Sequence, residues 1–383
     1  MTSVLNNDDD SLGYKDTKDS PSASLVTSSK SSGKPITTAA SGFFITPDGK
    51  TIEIRDVWAS NLEEEMENIR DAIDKYPCVS MDTEFPGIVA RPMHGDYNSS
   101  DIQYQTLRAN VDLLKLIQLG LSFTDTEGKL VDGCTCWQFN FKFSLSGDVY
   151  AQDSIELLKE SGIDFEKFEE YGIDIQYFGE LLMMSGLVLN DDVKWISFHS
   201  SYDFGYLLKT LTCAPLPEDE NEFLDLLHTF FPYLYDVKFM MTAREGLYGG
   251  LSALAETLQV DRIGPMHQAG SDSLLTAAVY FALISKHLNG VCDDNKFKGQ
   301  LYGLGNNHTK HKHRFSTSTS SDKFTRSDSS GGLNSSTNSD KYSSKVLQME
   351  FSQTTTVHFP ASMTAHNSHP SLNNYYHNDF DHE

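Results

Sequence analysis

Cys78-Val79-Ser80-Met81-Asp82-Thr83-Glu84-Phe85-Pro86-Gly87 is the stretch on which the reading of this chain turns. It begins as a short apolar strand, then carries two carboxylates two positions apart, just before Pro86 and Gly87. In a strand, residues i and i+2 project from one face. Asp82 and Glu84 therefore point together, while Met81, Thr83 and Phe85 point the other way. Two like charges side by side repel, and burying them is costly. A divalent cation would remove that cost. An isolated D-x-E also suits an acidic strand end facing water, because short motifs match by accident. The distinction lies in what the rest of the chain supplies.

Upstream of this strand, Ile52-Glu53-Ile54-Arg55 reads as a short strand. Leu62, Met66, Ile69 and Ile73 fall at helical spacing, which predicts an amphipathic helix over about 61–75. Downstream, residues 91–107 hold Arg91-Pro92 and Gly95-Asp96-Tyr97-Asn98 and read as a loop. A helix over 105–114 leads into strand Leu116-Ile117-Gln118-Leu119-Gly120-Leu121-Ser122-Phe123. A third strand follows at Thr135-Cys136-Trp137-Gln138-Phe139-Asn140-Phe141. Short connections between these strands predict an antiparallel meander. Beyond it, helices are expected at about 152–160, 164–170, 174–185, 203–211, 220–230, 251–258 and 271–288. Strands are expected at 194–199 and 235–240. Alternating strands and helices give an α/β fold with a mixed sheet.

Of 383 residues, positions 1–45 are rich in Ser, Thr and Asp, and positions 306–383 in Ser, Asn and His. Both read as disordered tails, leaving one domain over 46–305. His308, His311 and His313 follow the compositional bias of the second tail. No apolar run is long enough to span a bilayer, so no membrane partner is expected. The N-terminus lacks the basic and apolar regions of a signal peptide. Five cysteines form no disulfide framework and are read as reduced, mostly core thiols of an intracellular protein. Net charge is −24; each tail is nearly neutral, so the domain carries almost all of it. Such a domain grips a nucleic-acid duplex poorly through bulk electrostatics. If it handles nucleic acid, it does so locally, through metals and a few contacts.

Three further residues join Asp82 and Glu84. Asp203 sits in Phe198-His199-Ser200-Ser201-Tyr202-Asp203-Phe204-Gly205-Tyr206, where a strand hands over to a helix. Asp272 opens a helix in His267-Gln268-Ala269-Gly270-Ser271-Asp272, and His267 precedes it by five positions. Alone, each acid has an ordinary role as a helix cap. Together they form an ordered pattern, that of the DEDD exonucleases with a histidine in the last motif. The residue types suit the chemistry. Phosphodiester hydrolysis needs charge compensation at the attacking and leaving oxygens, which two Mg²⁺-class ions about 4 Å apart provide. Hard cations take oxygen ligands, and a nearby histidine can accept the proton of water near neutral pH.

Residues between about 55 and 305 resemble the CAF/Pop-type deadenylases, the nuclease subunits of the CCR–NOT complex. The resemblance is carried by Val57-Trp58-Ala59-Ser60-Asn61-Leu62, Met81-Asp82-Thr83-Glu84-Phe85-Pro86-Gly87 and Val111-Asp112-Leu113-Leu114-Lys115-Leu116-Ile117-Gln118-Leu119-Gly120. It continues in Trp137-Gln138-Phe139-Asn140-Phe141, Tyr150-Ala151-Gln152-Asp153-Ser154-Ile155, Asp203-Phe204-Gly205-Tyr206, Arg262-Ile263-Gly264-Pro265, His267-Gln268-Ala269-Gly270-Ser271-Asp272 and Leu301-Tyr302-Gly303-Leu304-Gly305. It implies a ribonuclease H-like mixed sheet with helices on both sides. It implies metal ligands Asp82, Glu84, Asp203 and Asp272, two divalent ions (Mg²⁺ or Mn²⁺), and His267 as general base. The implied reaction is 3′→5′ shortening of messenger-RNA poly(A) tails with release of 5′-AMP, in cytoplasm and nucleus. Implied partners are the poly(A) 3′ end, a large Not scaffold, a Ccr-type nuclease and BTG/Tob-type proteins. Ser201 departs from the glycine expected at that position. Phe85 is read as core packing with terminal-base stacking as the alternative, and Arg91 as an ion-pair or phosphate contact. His199 is expected in or near the core, and Trp58, Trp137 and Trp195 as core or interface anchors. A DEDD exonuclease acting on other RNA or DNA, and a scaffolding subunit, remain alternatives.

Overall fold

A computed structural model describes residues 36–37, 42–46, 50–92, 99–131, 136–305, 349–351 and 356–360. In chain order the first half contains β1 (Ile36–Thr37), β2 (Phe43–Ile45), β3 (Thr51–Val57), α1 (Leu62–Ile73), β4 (Cys78–Glu84), β5 (Ala90–Pro92), α2 (Ser99–Leu113), β6 (Gln118–Thr124), β7 (Cys136–Asn140) and β8 (Tyr150–Ala151). The second half adds α3 (Gln152–Glu160), α4 (Phe165–Tyr171), α5 (Ile175–Met183), β9 (Lys194–Ser197), α6 (Ser201–Thr212), α7 (Glu220–Phe230), β10 (Tyr233–Asp236), α8 (Val237–Met241), α9 (Leu251–Leu258), α10 (Ala269–His287) and α11 (Asp294–Phe297). Two short strands close it, β11 (Met349–Phe351) and β12 (Val357–His358).

Eight strands form one mixed sheet in the order β1-β2-β3-β7-β6-β4-β9-β10. The meander expected from the sequence is its centre: β4 pairs antiparallel with β6, and β6 with β7. On the other side of β4, β9 and then β10 run parallel. At the far side, β3 joins β7 in parallel. The α/β, ribonuclease H-like class with helices on both faces is the observed one.

The period of two makes the sheet two-faced. One face shows Val79 and Met81 of β4, Leu119, Leu121 and Phe123 of β6, and Trp137 and Phe139 of β7, all in the largest apolar cluster with α1, α2, α5 and α6. The opposite face of the same strands carries Ser80, Asp82 and Glu84, then Gln118, Gly120 and Ser122, then Cys136, Gln138 and Asn140. Small and polar groups there let α10 come close. A Cβ at Gly120 would lie 2.0 Å from the Ala269 carbonyl oxygen. Ser80 Oγ donates to the Ser273 carbonyl at 2.9 Å, and Ser122 and Ser273 hydroxyls meet at 2.8 Å. The apolar rest of α10 continues into a second cluster, where Leu275, Val279 and Leu283 pack with Ile196 and Tyr235.

Some expectations need correction. Short strands lie on the tail side of the boundaries expected at 45/46 and 305/306 and pair across them. β2 pairs with β3, while β11 and β12 pair with β5 and β8; these edge pairings are made at long range, which local composition does not register. His308, His311 and His313 lie outside the described residues, as does Cys134. The loop expected at 91–107 contains the start of α2, at Ser99. The strand expected over 235–240 ends at Asp236, whose Oδ1 accepts from the Lys238 and Phe239 amides and starts α8. His199 is exposed rather than in the core, because its backbone takes a left-handed turn (φ 58°) between β9 and α6. Cys78 and Cys136 are buried free thiols, Cys292 is half-buried and Cys213 is exposed. Trp137 and Trp195 are core residues, each with its indole N–H bonded, to Glu65 and to the Leu187 carbonyl. Trp58 packs edge-on against Phe168. No helix among the described residues is long and apolar enough to cross a membrane.

Candidate active site

Asp82 and Glu84 project from β4 towards α10, as the i, i+2 rule requires. Asp272 comes from the first turn of that helix, and ligand atoms of the three carboxylates lie within 4.8 Å of one another. The N-terminus of α10 is held down by the sheet itself. Gln118 Oε1 accepts from the Ala269 amide at 2.8 Å, and Gln138 Oε1 from the Gly270 amide at 3.0 Å. These side chains satisfy amides that have no partner inside the helix. Asp272 Oδ2 accepts from the backbone amides of His267 (2.9 Å) and Gln268 (3.3 Å). Its Oδ1 accepts from Arg262 Nη1 at 2.6 Å.

Asp203 approaches from the other side of β4. Pairing of β4 with β9 ends at Ser80, whereas pairing with β6 runs on to Glu84. Beyond Ser80 the strand needs new partners on the β9 side, and α6 brings Asp203 there. Asp203 Oδ1 accepts from the Thr83 amide (3.0 Å) and the Thr83 hydroxyl (2.7 Å). Asp203 thus stands beside the three converging carboxylates, clasped to Thr83, rather than among them. Ser201, the departure from the family pattern, is buried in the first turn of α6.

The acids repel. Burial pushes the Asp82 carboxyl well above its usual range, and Asp272, Asp203 and Glu84 push it further, against the single opposing cation Arg262. Burial, with Asp272 and Asp203, pushes Glu84 up to about 8. Burial likewise raises Asp203 to about 6, although its bonds to Thr83 pull the other way. A half-buried to buried set of oxygen donors with excess negative charge fits hard divalent cations. Asp82, Glu84 and Asp272 would hold one, with Asp203 at the side for another.

His267 lies on the rim. Its backbone is left-handed (φ 59°), its side chain is exposed, and its carbonyl accepts from Ser161 Oγ at 3.0 Å. That bond ties the histidine loop to the end of α3. Phe85 is half-buried, stacked on Tyr202 with ring centroids 5.2 Å apart and 12° between planes. Packing is therefore realised, and part of the ring still faces solvent beside Glu84. Arg91 is exposed on β5, and its charge acts on the Tyr202 hydroxyl. Sequence reading did not single out Thr83, Gln118, Gly120, Gln138 or Arg262 as parts of the site. The polar alternation Gln118, Gly120, Ser122 in an otherwise apolar strand was the available signal.

Comparison with known proteins identifies the family. The CAF1 family ribonuclease profile matches residues 57–181 and 182–280. The chain is 54% identical to poly(A) ribonuclease pop2 of Schizosaccharomyces pombe over 253 residues, covering 66% of this chain and 75% of that one. It is 52% identical to probable CCR4-associated factor 1 homolog 7 of Arabidopsis thaliana, covering 67% of this chain and 94% of the relative. Among solved structures, the Mg²⁺- and Mn²⁺-bound form of S. pombe Pop2p superposes with a TM-score of 0.64 at 53% identity, covering 66% of this chain and 99% of Pop2p. Yeast CAF1 co-crystallised with the NOT1 MIF4G domain gives 0.55 at 36% identity, covering 65% of this chain and 96% of that one. On these matches and the fold they share, the chain belongs to the CAF1 family of ribonucleases.

Proposed function

We propose that this chain is a metal-dependent 3′→5′ exoribonuclease that shortens poly(A) tails of messenger RNA and releases 5′-AMP. The observation that carries this reading is the convergence of Asp82, Glu84 and Asp272 within 4.8 Å, with Asp272 buried, Asp82 and Glu84 half-buried, and the set short of positive charge. The likeness to a poly(A) ribonuclease supplies the substrate class, and the metal-bound Pop2p structure supports divalent ions. When bound, two such ions compensate charge at the attacking and leaving oxygens. Asp82, Glu84, Asp203 and Asp272 would hold them, and His267, exposed on the rim, would take the proton of the attacking water from the open side of the site. Phe85, with its partly exposed ring, and Arg91 meet the terminal nucleotides. The domain responsible spans about 46–305, with β2 as an extension of its sheet.

The co-crystal of yeast CAF1 with NOT1 supports a large Not scaffold as partner. A Ccr-type nuclease and BTG/Tob-type proteins, and residence in cytoplasm and nucleus, belong to the same proposal through the family likeness. The test is an assay of 5′-labelled poly(A) beside poly(U) and poly(C), with Mg²⁺ or Mn²⁺ and with EDTA. Stepwise shortening of poly(A) with 5′-AMP release, abolished by EDTA, is expected. Internal fragments, 5′-end release or equal action on all homopolymers would overturn direction or substrate.

A further inference from the structure

We propose that β5 and β8 form a strand-accepting docking surface for the chain's own residues 349–351 and 356–360, and that this docked stretch steadies the loop beside the carboxylates. Four observations converge. First, β11 pairs antiparallel with β5, setting Phe351 opposite Ala90, Glu350 opposite Arg91 and Met349 opposite Pro92. Asn110 already bonds the Val89 and Ala90 backbone, through both its Oδ1 and its Nδ2. That leaves the other edge of β5 for an added strand. Second, β12 pairs antiparallel with β8, Val357 opposite Ala151 and His358 opposite Tyr150. The Gln152 amide extends this pairing by donating to the Thr356 carbonyl at 2.8 Å. Third, side chains seat the segment. The His358 and Tyr150 rings stack at 4.5 Å with 9° between planes. Val357 and Phe359 pack against the main apolar cluster, and Pro360 is buried. Main-chain pairing plus side-chain pockets is how an edge strand takes an extended peptide, and it also covers two edges that would otherwise be exposed.

The fourth observation links this surface to the site. Residues 85–89 run from Glu84 to β5, so one end of the loop is fixed by the carboxylate strand and the other by the edge that β11 covers. Its middle rests on β8 and α3. The Ala151 amide donates to the Pro86 carbonyl at 2.9 Å. Gly87 (φ 88°) sits so close that a Cβ there would lie 2.8 Å from Ala151 Cβ and 2.3 Å from Ser154 Oγ. The segment thus braces both supports of the loop that carries Phe85. It does not cover the loop's candidate contacts, since Arg91 is exposed and Phe85 partly so with the segment in place. This geometry makes it a brace and not a plug: docking tightens binding of the RNA 3′ end and leaves turnover alone. That second half rests on the nuclease reading above.

The experiment uses the full chain, with Val357→Asp and His358→Ala as independent variants and hydrogen exchange as the first readout. The amides that face the segment, those of Arg91, Tyr150 and Gln152, should lose protection in the variants and regain it on adding a synthetic peptide of residues 347–361, while those of Ala90 and Ala151, held by Asn110 and Pro86, serve as internal controls. The KM for a 5′-labelled oligo(A) should rise about 3- to 10-fold while kcat stays unchanged. Equal protection in wild type and both variants sinks the docking surface, whatever the activity. Lost protection with an unchanged KM, or a change in kcat alone, sinks the coupling. A chain inactive on every RNA but with the protection pattern above speaks against the nuclease reading and leaves the docking surface standing.

Discussion

Replacing Glu84 by glutamine should stabilise the metal-free protein while disabling it. Glu84 shares a half-buried corner with Asp82 and Asp272, opposed chiefly by Arg262. Its carboxyl is pushed up from 4.5 to about 8. A folded-state value above the unfolded one means that the associated stability is fully present below pH 4.5 and is lost as pH rises towards 8. At about 1.36 kcal/mol per pH unit the ceiling on that loss is about 5 kcal/mol. Partial exposure of Glu84 and relaxation of its neighbours reduce it to ~1–3 kcal/mol at pH 7.5. The amide of the Glu84→Gln variant carries no charge and escapes the loss, at similar volume. For a domain of this size the melting temperature should rise by ~3–8 °C in EDTA at pH 7.5, and the advantage should vanish by pH 4.5. Adding Mg²⁺ should raise the wild-type melting temperature through binding to the folded state alone and raise that of the variant much less. Scanning fluorimetry across pH, with EDTA and with Mg²⁺, measures all of this. An equal or lower melting temperature for Glu84→Gln in EDTA at pH 7.5, or a difference that ignores pH, would refute the reasoning.

Other substitutions probe the remaining parts. Asp82→Ala should nearly abolish poly(A) shortening with the circular dichroism unchanged; retained activity would remove Asp82 from the ligand set. His267→Ala should slow hydrolysis about 10²–10⁴-fold with little change in stability, because the side chain is exposed; a near-normal rate would demote it to a loop residue. Arg262→Gln breaks an ion pair whose partners are only 19% and 11% exposed, so the metal-free protein should lose ~2–4 kcal/mol by urea titration, and saturating Mg²⁺ should restore part of it. Gly120→Ala places a Cβ against the Ala269 carbonyl, so α10 must shift and both stability and turnover should fall; an unchanged melting temperature would show that α10 has more room than the structure gives it.

The parts of this site that are legible in the sequence obey local periods. Asp82 and Glu84 share a face because a strand repeats every two residues, and Asp203 and Asp272 sit where strand or loop gives way to helix. What escapes depends on close approach between distant elements. Thr83 points away from Asp82, and that is why it meets Asp203 on the far side of β4. Gln118 and Gln138 look like ordinary strand residues until α10 lays its N-terminus on them. β11 and β12 escape for a related reason: a few residues in a Ser- and Asn-rich stretch have no period of their own, and their pairing is decided by unfilled edges elsewhere. His199, expected in or near the core, stands exposed at the left-handed turn that follows β9.

β4 is paired with β6 along its length, with β9 as far as Ser80 and held by Asp203 at Thr83 beyond, and it lies between the main apolar cluster on one face and α10 on the other. A strand so placed opens only when the whole domain does. Its amides should therefore be among the slowest in the molecule to exchange, even in EDTA. The acids cannot relieve their crowding by local fraying, so the positions proposed for the metal ligands are set by the fold. On the proposed function, cation uptake should need no ordering of the chain, and its speed should be set by how fast the ion sheds its water.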